Sequence, residues 1–301
     1  MSEFIQNKIG ANITPVITVA MPVYNAGKYL RLAVLSIVTQ TFTDWEFIII
    51  DDGSTDNALQ SIEDIRDGRI RILQDGKNKG LAVRLNECIE MARGKYFARM
   101  DQDDVSYPNR LLRQFQLLEK SPLLDLIAVR AITIDERNKA TGLFPSALTH
   151  EQISAKPWMG FYLPHPTWMG KLEWFRKYRY AVPGPYFCED QELLLRSYPD
   201  SRFGTIDEIL FAYRVRGKVN QNKLSKTRWT LLNIQLRYFS NLNLLGFVLL
   251  AIAAFFVKRG SDFLSNMQRV VVQHNSTILK DEITVAWNHV LSDLDSGITL
   301  S

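Results

Sequence analysis

Val16–Tyr24 reads VITVAMPVY, and Trp45–Asp56 reads WEFIIIDDGSTD. Each opens as a nearly unbroken apolar, β-rich run, the pattern of a parallel strand covered on both faces. Each run then stops at polar turn residues: Tyr24-Asn25-Ala26-Gly27 after the first, Asp51-Asp52-Gly53-Ser54 after the second. Working outward, the spacing predicts helices over Tyr29–Val38 and Leu81–Met91, with strands over Ile70–Leu73 and Tyr96–Met100. The last of these strands runs into Asp101-Gln102-Asp103-Asp104. Strands alternating with helices over the first hundred residues predict an α/β chain with a doubly wound, mostly parallel sheet.

In such sheets ligands bind outside the carboxyl ends of the strands. One acidic cluster there reads as solvated surface. Clusters at equivalent ends of several strands point instead into one shared crevice. The first strand runs into MPVYNAGKYL, which is neither GxGxxG nor GxxxxGK, and Pro22 withdraws a backbone N–H. Hydride-transfer and P-loop enzymes need those glycines and amides, so both classes are disfavoured. Carboxylates reach a diphosphate by another route, with a hard divalent cation such as Mg2+ or Mn2+ lying between. Strand-like alternation predicts Asp101 and Asp103 on one side and Gln102 on the other. Asp52 is then free for a nucleobase or ribose.

The second half carries different chemistry. A helix is expected from Tyr107-Pro108-Asn109-Arg110 to about Leu118, and a strand over Leu126–Ile134. His165-Pro166-Thr167 and an aromatic stretch follow, then Pro183-Gly184-Pro185 and an amphipathic helix opened by Cys188-Glu189-Asp190. An acid in a first helical turn reads on its own as a cap. Brought to the crevice, it reads as a general base. Sugar transfer needs that layout: a cation under the departing diphosphate and one carboxylate deprotonating the incoming hydroxyl. Direct attack with a single base inverts the anomeric centre.

The 301 residues are 46% hydrophobic and 23% charged, which argues against disorder. A net charge of +4 is too weak a bias for nucleic-acid binding. Two cysteines make neither a disulfide framework nor a zinc site, and a reducing compartment fits. The start, MSEFIQNKIG, has no apolar run to serve as a secretory signal, so a cytoplasmic location is expected. Leu244–Val257, LLGFVLLAIAAFFV, is uncharged but shorter than the ~20 residues of a spanning helix. Three covers are open to it: the rest of the chain, a second copy in a homo-oligomer, or lipid. Arg228, Arg237, Lys258 and Arg259 bracket it, as for a helix resting on the anionic inner face of the cell membrane. In the competing arrangement Thr230–Phe239 packs back on it through Asn241-Leu242-Asn243, and a tail helix over Glu282–Leu291 closes a bundle.

Taken in order, the motifs resemble the family 2 inverting glycosyltransferases of the GT-A fold. The residues that carry the resemblance are Met21-Pro22-Val23-Tyr24-Asn25, Gln40-Thr41-Phe42-Thr43-Asp44-Trp45-Glu46, Asp51-Asp52-Gly53-Ser54-Thr55-Asp56 and Gly80-Leu81-Ala82 with Leu85-Asn86. They continue with Asp101-Gln102-Asp103-Asp104, His165-Pro166-Thr167, Glu189-Asp190 with Leu194 and Arg196, and Tyr213-Arg214. The likeness covers about residues 14–216.

It implies a nucleotide-diphosphate sugar donor, expected to be UDP-linked, and a glycan or lipid-linked acceptor of a surface polysaccharide such as O-antigen or capsule. Pro22 and Tyr24 are expected at the nucleobase, Asp52 on the uracil, Asp101 near the ribose and Asp103 on the divalent metal, Mn2+ or Mg2+. Arg84 and His165 join the nucleotide-sugar residues, Asp190 is the expected base, and Glu189 helps to place the acceptor. Arg216 departs from the pattern, because many relatives carry histidine there. Arginine ligates no metal but can grip a diphosphate bidentately. The implied division is a catalytic domain over 1–220 and a helical region over 221–301. The alternatives are a nucleotidyltransferase, which lacks its glycine-rich basic loop here, and a non-catalytic nucleotide-sugar-binding protein. Arg228-Trp229 is not preceded by the glutamine of a processive synthase, so a single addition is expected.

Overall fold

A computed structural model describes residues 14–217, 221–267 and 279–298; the amino-terminal stretch read for a signal lies outside them. Buried runs and amphipathic helices alternate as β1 (Ile17–Val23), α1 (Leu30–Val38), β2 (Trp45–Asp51), β3 (Ile70–Gln74), α2 (Leu81–Met91) and β4 (Tyr96–Arg99). Next come β5 (Val105–Ser106), α3 (Arg110–Lys120), β6 (Leu126–Ile134), β7 (Ala140–Leu143) and α4 (His150–Ser154). Then follow β8 (Met169–Lys171), α5 (Leu172–Lys177), α6 (Glu189–Ser197) and β9 (Phe203–Arg214). Three tail helices follow, α7 (Gln221–Asn241), α8 (Leu245–Met267) and α9 (Asp281–Ile298).

The strands form one sheet in the order β3-β2-β1-β4-β8-β6-β9-β5, with β7 on the side of β6. The β3-β2-β1-β4 half is parallel throughout. The other half is mixed: β8 runs antiparallel between β4 and β6, β9 runs parallel to β6, and β5 closes the edge. The chain steps outward from β1 to β3 and then returns to place β4 on the other side of β1. That reversal is a topological switch point, where a crevice opens at the strand ends.

Both faces of the sheet are covered. Ile17, Val19 and Met21 of β1 share one core with Phe47 and Ile49 of β2 and with α1 and α3. Ala20, Ile48 and Ile50 belong to the second core, with α2, α5 and α6. This two-sided burial is why β1 and β2 read as continuous apolar runs. Glu46 is a charged residue inside the apolar run of β2. It is 2% exposed and accepts from Thr18 Oγ1 at 2.8 Å and from the Arg93 backbone N–H at 2.8 Å. Gln40 ties α1 to the far edge, donating to the Tyr107 carbonyl at 2.7 Å and accepting from the Leu111 N–H at 2.9 Å.

Two expectations change. β4 stops at Arg99, and Asp101–Asp104 form a turn rather than a strand extension, so strand alternation does not orient those side chains. The tail also divides. α7 and α8 form the expected hairpin, turning at Asn241-Leu242-Asn243 with Asn243 at φ 56°. Leu232, Phe239, Ala251 and Phe255 bury this hairpin in the second core. α9 does not close it into a bundle. Trp287, fully buried, places α9 in the first core, donating to the Asn138 carbonyl at 2.7 Å and stacking on Tyr107 at 5.9 Å.

One of the bracketing basic groups joins the two hairpin helices, and another ties α8 to the preceding chain. Arg228 pairs with Asp262 at 3.2 Å, and Lys258 Nζ donates to the Met159 carbonyl at 2.6 Å. The outer side of α8 stays apolar and open, with Leu245, Leu249, Phe256 and Val257 each about two-thirds exposed. Among the described residues no helix is long and apolar enough to cross a membrane.

Candidate active site

The strand-end clusters meet at the switch point and are stitched together there. Gln102 does this across β1 and β4: its Oε1 accepts from the Tyr24 N–H at 2.6 Å and its Nε2 donates to the Tyr24 carbonyl at 2.9 Å. Asn25, at φ 49°, accepts from the Thr55 N–H at 2.8 Å, which joins the β1 turn to the β2 turn. Gly53 sits at φ 75° in that second turn, and a Cβ there would lie 2.9 Å from the Lys77 backbone. Pro22 is at the carboxyl end of β1, opposite Ile50. Tyr24, in the turn that follows, is 47% exposed.

Asp52, 5% exposed, is held hard from one side. Its Oδ1 accepts from the Lys79 N–H at 2.7 Å and Arg84 Nε at 2.8 Å, and its Oδ2 from the Gly80 N–H at 3.0 Å. A carboxylate offers about four lone-pair positions, so Oδ2 keeps capacity for one more donor, such as a nucleobase N–H. Arg84 has no such surplus. Its remaining nitrogens go to Asp75 at 2.6 Å, Glu87 at 2.8 Å and the Lys77 carbonyl. Arg84 thus holds Asp52 in place and has no N–H left for a ligand. The Arg84 and Lys79 hydrogen bonds also hold the Asp75 carboxyl well below the usual range.

Each acid of the third cluster meets an arginine. Asp101 pairs with Arg99 at 2.8 Å, and Asp103 pairs with Arg216 at 2.7 Å. Asp104 is 1% exposed and accepts from the Arg214 N–H at 2.7 Å, while burial and its acidic neighbours raise its pKa. The donor set around the expected ligand Asp103 is therefore an arginine cluster. Among the described residues no group of three His, Cys, Asp or Glu is placed to hold a metal ion.

On the far side, Glu189 and Asp190 occupy the first turn of α6, where the helix dipole favours negative charge. Gln191 fixes this turn. It donates to Asp190 Oδ2 at 3.2 Å and accepts from the Phe161 N–H at 2.8 Å. Burial, then the charge of Asp190, pushes Glu189 up to about 7, and burial also raises Asp190. His165 is a neutral part of the floor. It shares a 2.7 Å hydrogen bond with the Tyr180 hydroxyl and lies 4.5 Å from the Trp168 ring. Burial, with the Arg99 charge beside it, keeps its pKa well below the ordinary range.

Arg99 joins the two sides, and the sequence reading missed it. Its side chain is 3% exposed, and its Nε and Nη1 are buried without a hydrogen-bond partner among the described residues. Its charge acts on Asp101, Glu189, Asp190 and His165. The only sequence signal was a basic residue closing the otherwise apolar run of β4. Arg214 and Gln102 were likewise quoted within motifs and given no part.

The family model for "Glycosyl transferase family 2" matches residues 18–179. EpsE of Bacillus subtilis is 32% identical over 210 residues, covering 67% of this chain and 74% of EpsE. This chain belongs to the family 2 glycosyltransferases. It is accordingly an enzyme of sugar transfer. The Escherichia coli protein WfgD, a UDP-Glc:alpha-D-GlcNAc-diphosphoundecaprenol beta-1,3-glucosyltransferase, is 31% identical over 139 residues, 46% of this chain and 54% of its own.

Two solved structures share the fold. TarS of S. aureus in complex with UDP-GlcNAc has a TM-score of 0.56 at 17% identity, covering 92% of this chain and 80% of that one. The mannosyltransferase PcManGT of Pyrobaculum calidifontis, in complex with GDP-Man and Mn2+, has a TM-score of 0.57 at 13% identity, covering 93% and 86%. The GT-A architecture expected from the motifs is the one observed.

Arg84→Met leaves Asp52 buried without its charged partner. The expected loss is about 3–5 kcal/mol of stability by chemical denaturation, accompanied by weaker nucleotide binding. Unchanged stability would show that Asp52 does not depend on Arg84.

Proposed function

We propose that this glycosyltransferase moves one sugar from a nucleotide-diphosphate sugar, UDP-linked, to a hydroxyl of a glycan or lipid-linked acceptor, with inversion. The observation that carries the reading is the place of Arg99, whose charge acts both on Asp101 at the strand ends and on the Glu189–Asp190 pair. The donor lies along the β1, β2 and β4 ends, its base against Tyr24 and Asp52 and its diphosphate toward Arg216. Asp190 takes the acceptor proton as the hydroxyl attacks C1, and the nucleoside diphosphate leaves on the opposite side. Arg99 keeps Asp190 ionised beside the acidic Glu189. The UDP assignment is supported by the UDP-GlcNAc complex of TarS and the UDP-Glc donor named for WfgD. Relatives in polysaccharide pathways, such as a teichuronic acid glycosyltransferase of Bacillus subtilis, support a surface-polysaccharide acceptor.

Asp190→Asn tests the base. UDP binding is expected within about threefold of wild type, and transfer, followed by mass spectrometry of the product, falls by about 10²-fold or more. A variant keeping a tenth of wild-type transfer would move the base to Glu189. The pair also sets a pH dependence. A base acts when ionised, and burial raises the Asp190 carboxyl above the usual range, so kcat/KM is lost as pH falls through that raised pKa. Glu189→Gln removes the negative neighbour of Asp190, and the rising limb moves to lower pH. An unmoved limb would contradict the coupling.

We also propose that the catalytic unit ends near residue 220 and that the outer side of α8 rests on the cytoplasmic face of the membrane. The support is the open apolar stripe of Leu245, Leu249 and Phe256, flanked by exposed Arg237 and Arg259. An enzyme held there meets a lipid-linked acceptor where that acceptor lies. The full chain is expected to co-sediment with phosphatidylglycerol vesicles at low salt, and Leu245→Glu with Leu249→Glu and Phe256→Glu to remain in solution. Equal sedimentation of the two proteins, with the wild type dimeric in analytical ultracentrifugation, would give the stripe to a second copy instead.

A further inference from the structure

Arg214 ends β9 and Arg216 follows two residues later, and both guanidiniums lie 4.5 Å from the centre of the Tyr29 ring. Arg216 Nε is tethered to Asp103 at 2.7 Å. Its terminal nitrogens are less engaged, with Nη2 reaching the Ala26 carbonyl only at 3.4 Å. Arg214 is 4% exposed; its Nε donates to the Asp103 carbonyl at 2.6 Å and its Nη1 to the Asp135 carbonyl at 2.6 Å. Its Nη2 is buried with no partner among the described residues. Two guanidiniums with uncommitted N–H groups therefore stand at the turn where β1 delivers Tyr29, beside the acid that the family resemblance gives to a metal.

We propose that Arg216, tethered by Asp103 and backed by Arg214, is itself the cation of the diphosphate subsite, so that this enzyme holds a nucleoside diphosphate without a divalent ion. The inference rests on the nucleotide-sugar reading above. A planar guanidinium presents paired N–H donors that match two phosphate oxygens, and it does so with a fixed charge. A divalent ion at Asp103 sits beside two like charges, one of them already paired with Oδ2. Its acidic neighbours are partly engaged, Asp101 Oδ1 by Arg99 and Asp104 Oδ1 by the Arg214 N–H, and Asp104 Oδ2 is buried. The cluster thus offers a phosphate a guanidinium with less engaged terminal N–H groups, and offers a metal an acid already paired with that guanidinium. The Tyr29 ring supports both guanidiniums through cation–π contact and keeps them side by side.

Calorimetric titration of the full chain with UDP and with GDP, in EDTA and in Mn2+, tests this directly. Wild type is expected to bind UDP in EDTA within threefold of its affinity in Mn2+. Arg216→His restores an imidazole at Asp103, so its UDP affinity is expected to fall at least tenfold in EDTA and to recover in Mn2+. Electron paramagnetic resonance with Mn2+ alone should show no ion bound by wild type and one bound by Arg216→His. A wild-type affinity that drops tenfold or more in EDTA would overturn the proposal whether or not the variant folds. Absence of binding by either nucleotide under both conditions would overturn the donor reading itself, and this inference with it.

Discussion

Carboxylates at the carboxyl ends of adjacent parallel strands crowd together, and three of them, Asp52, Asp101 and Asp103, each meet an arginine of fixed charge. The Asp52–Arg84 pair, with both side chains under a tenth exposed, is the most deeply buried of these. Arg99 answers Asp101, and Arg216 answers Asp103. A buried ion pair contributes little net stability, yet loss of one partner is costly because the other charge stays buried. These arginines therefore keep four strand ends and two turns in one arrangement. Within it Asp52 Oδ2 accepts from the Gly80 N–H, Tyr24 keeps an exposed ring, and Arg99 keeps two buried donors without a partner among the described residues.

The same logic separates the two sides of the crevice. At the strand ends Asp52, Asp101 and Asp103 are paired with arginine. On the other side Glu189 and Asp190 have no ion pair among the described residues and rely on the first turn of α6, Gln191 and the nearby charge of Arg99. Less compensation leaves their protons held more tightly. α7 packs against α6, and through Phe239 and Phe255 the hairpin is seated in the second core, on the side of α6. α9 supports the opposite face.

Much of this was legible in the sequence because it depends on local pattern. α2 has the bounds that apolar periodicity and the following turn residues imply, β1 and β2 lie within one residue of theirs, and Asp52, Asp101 and Asp103 were visible as acids at strand ends. What escaped was tertiary pairing. Nothing near Gln102 in sequence reveals that its amide closes on the Tyr24 backbone 78 residues earlier. Arg99 read as one charge in a buried strand, and only the packed structure gathers Asp101, Glu189 and His165 around it. The turn after β4 replaced the expected alternation because the chain must reverse within a few residues to form β5. α9 was legible as a helix, but amphipathicity does not say which of two covered faces it joins; Trp287 and Asn138 decide that.

The central claim is that the ends of β1, β2, β4 and β9 form one nucleotide site. Hydrogen–deuterium exchange with and without UDP reads this segment by segment and needs no acceptor. The account predicts slowed exchange in peptides covering 21–29, 51–56, 99–105 and 213–217, with the outer side of α8 unchanged. Protection confined to one of these segments, or appearing elsewhere while all four exchange freely, would contradict it.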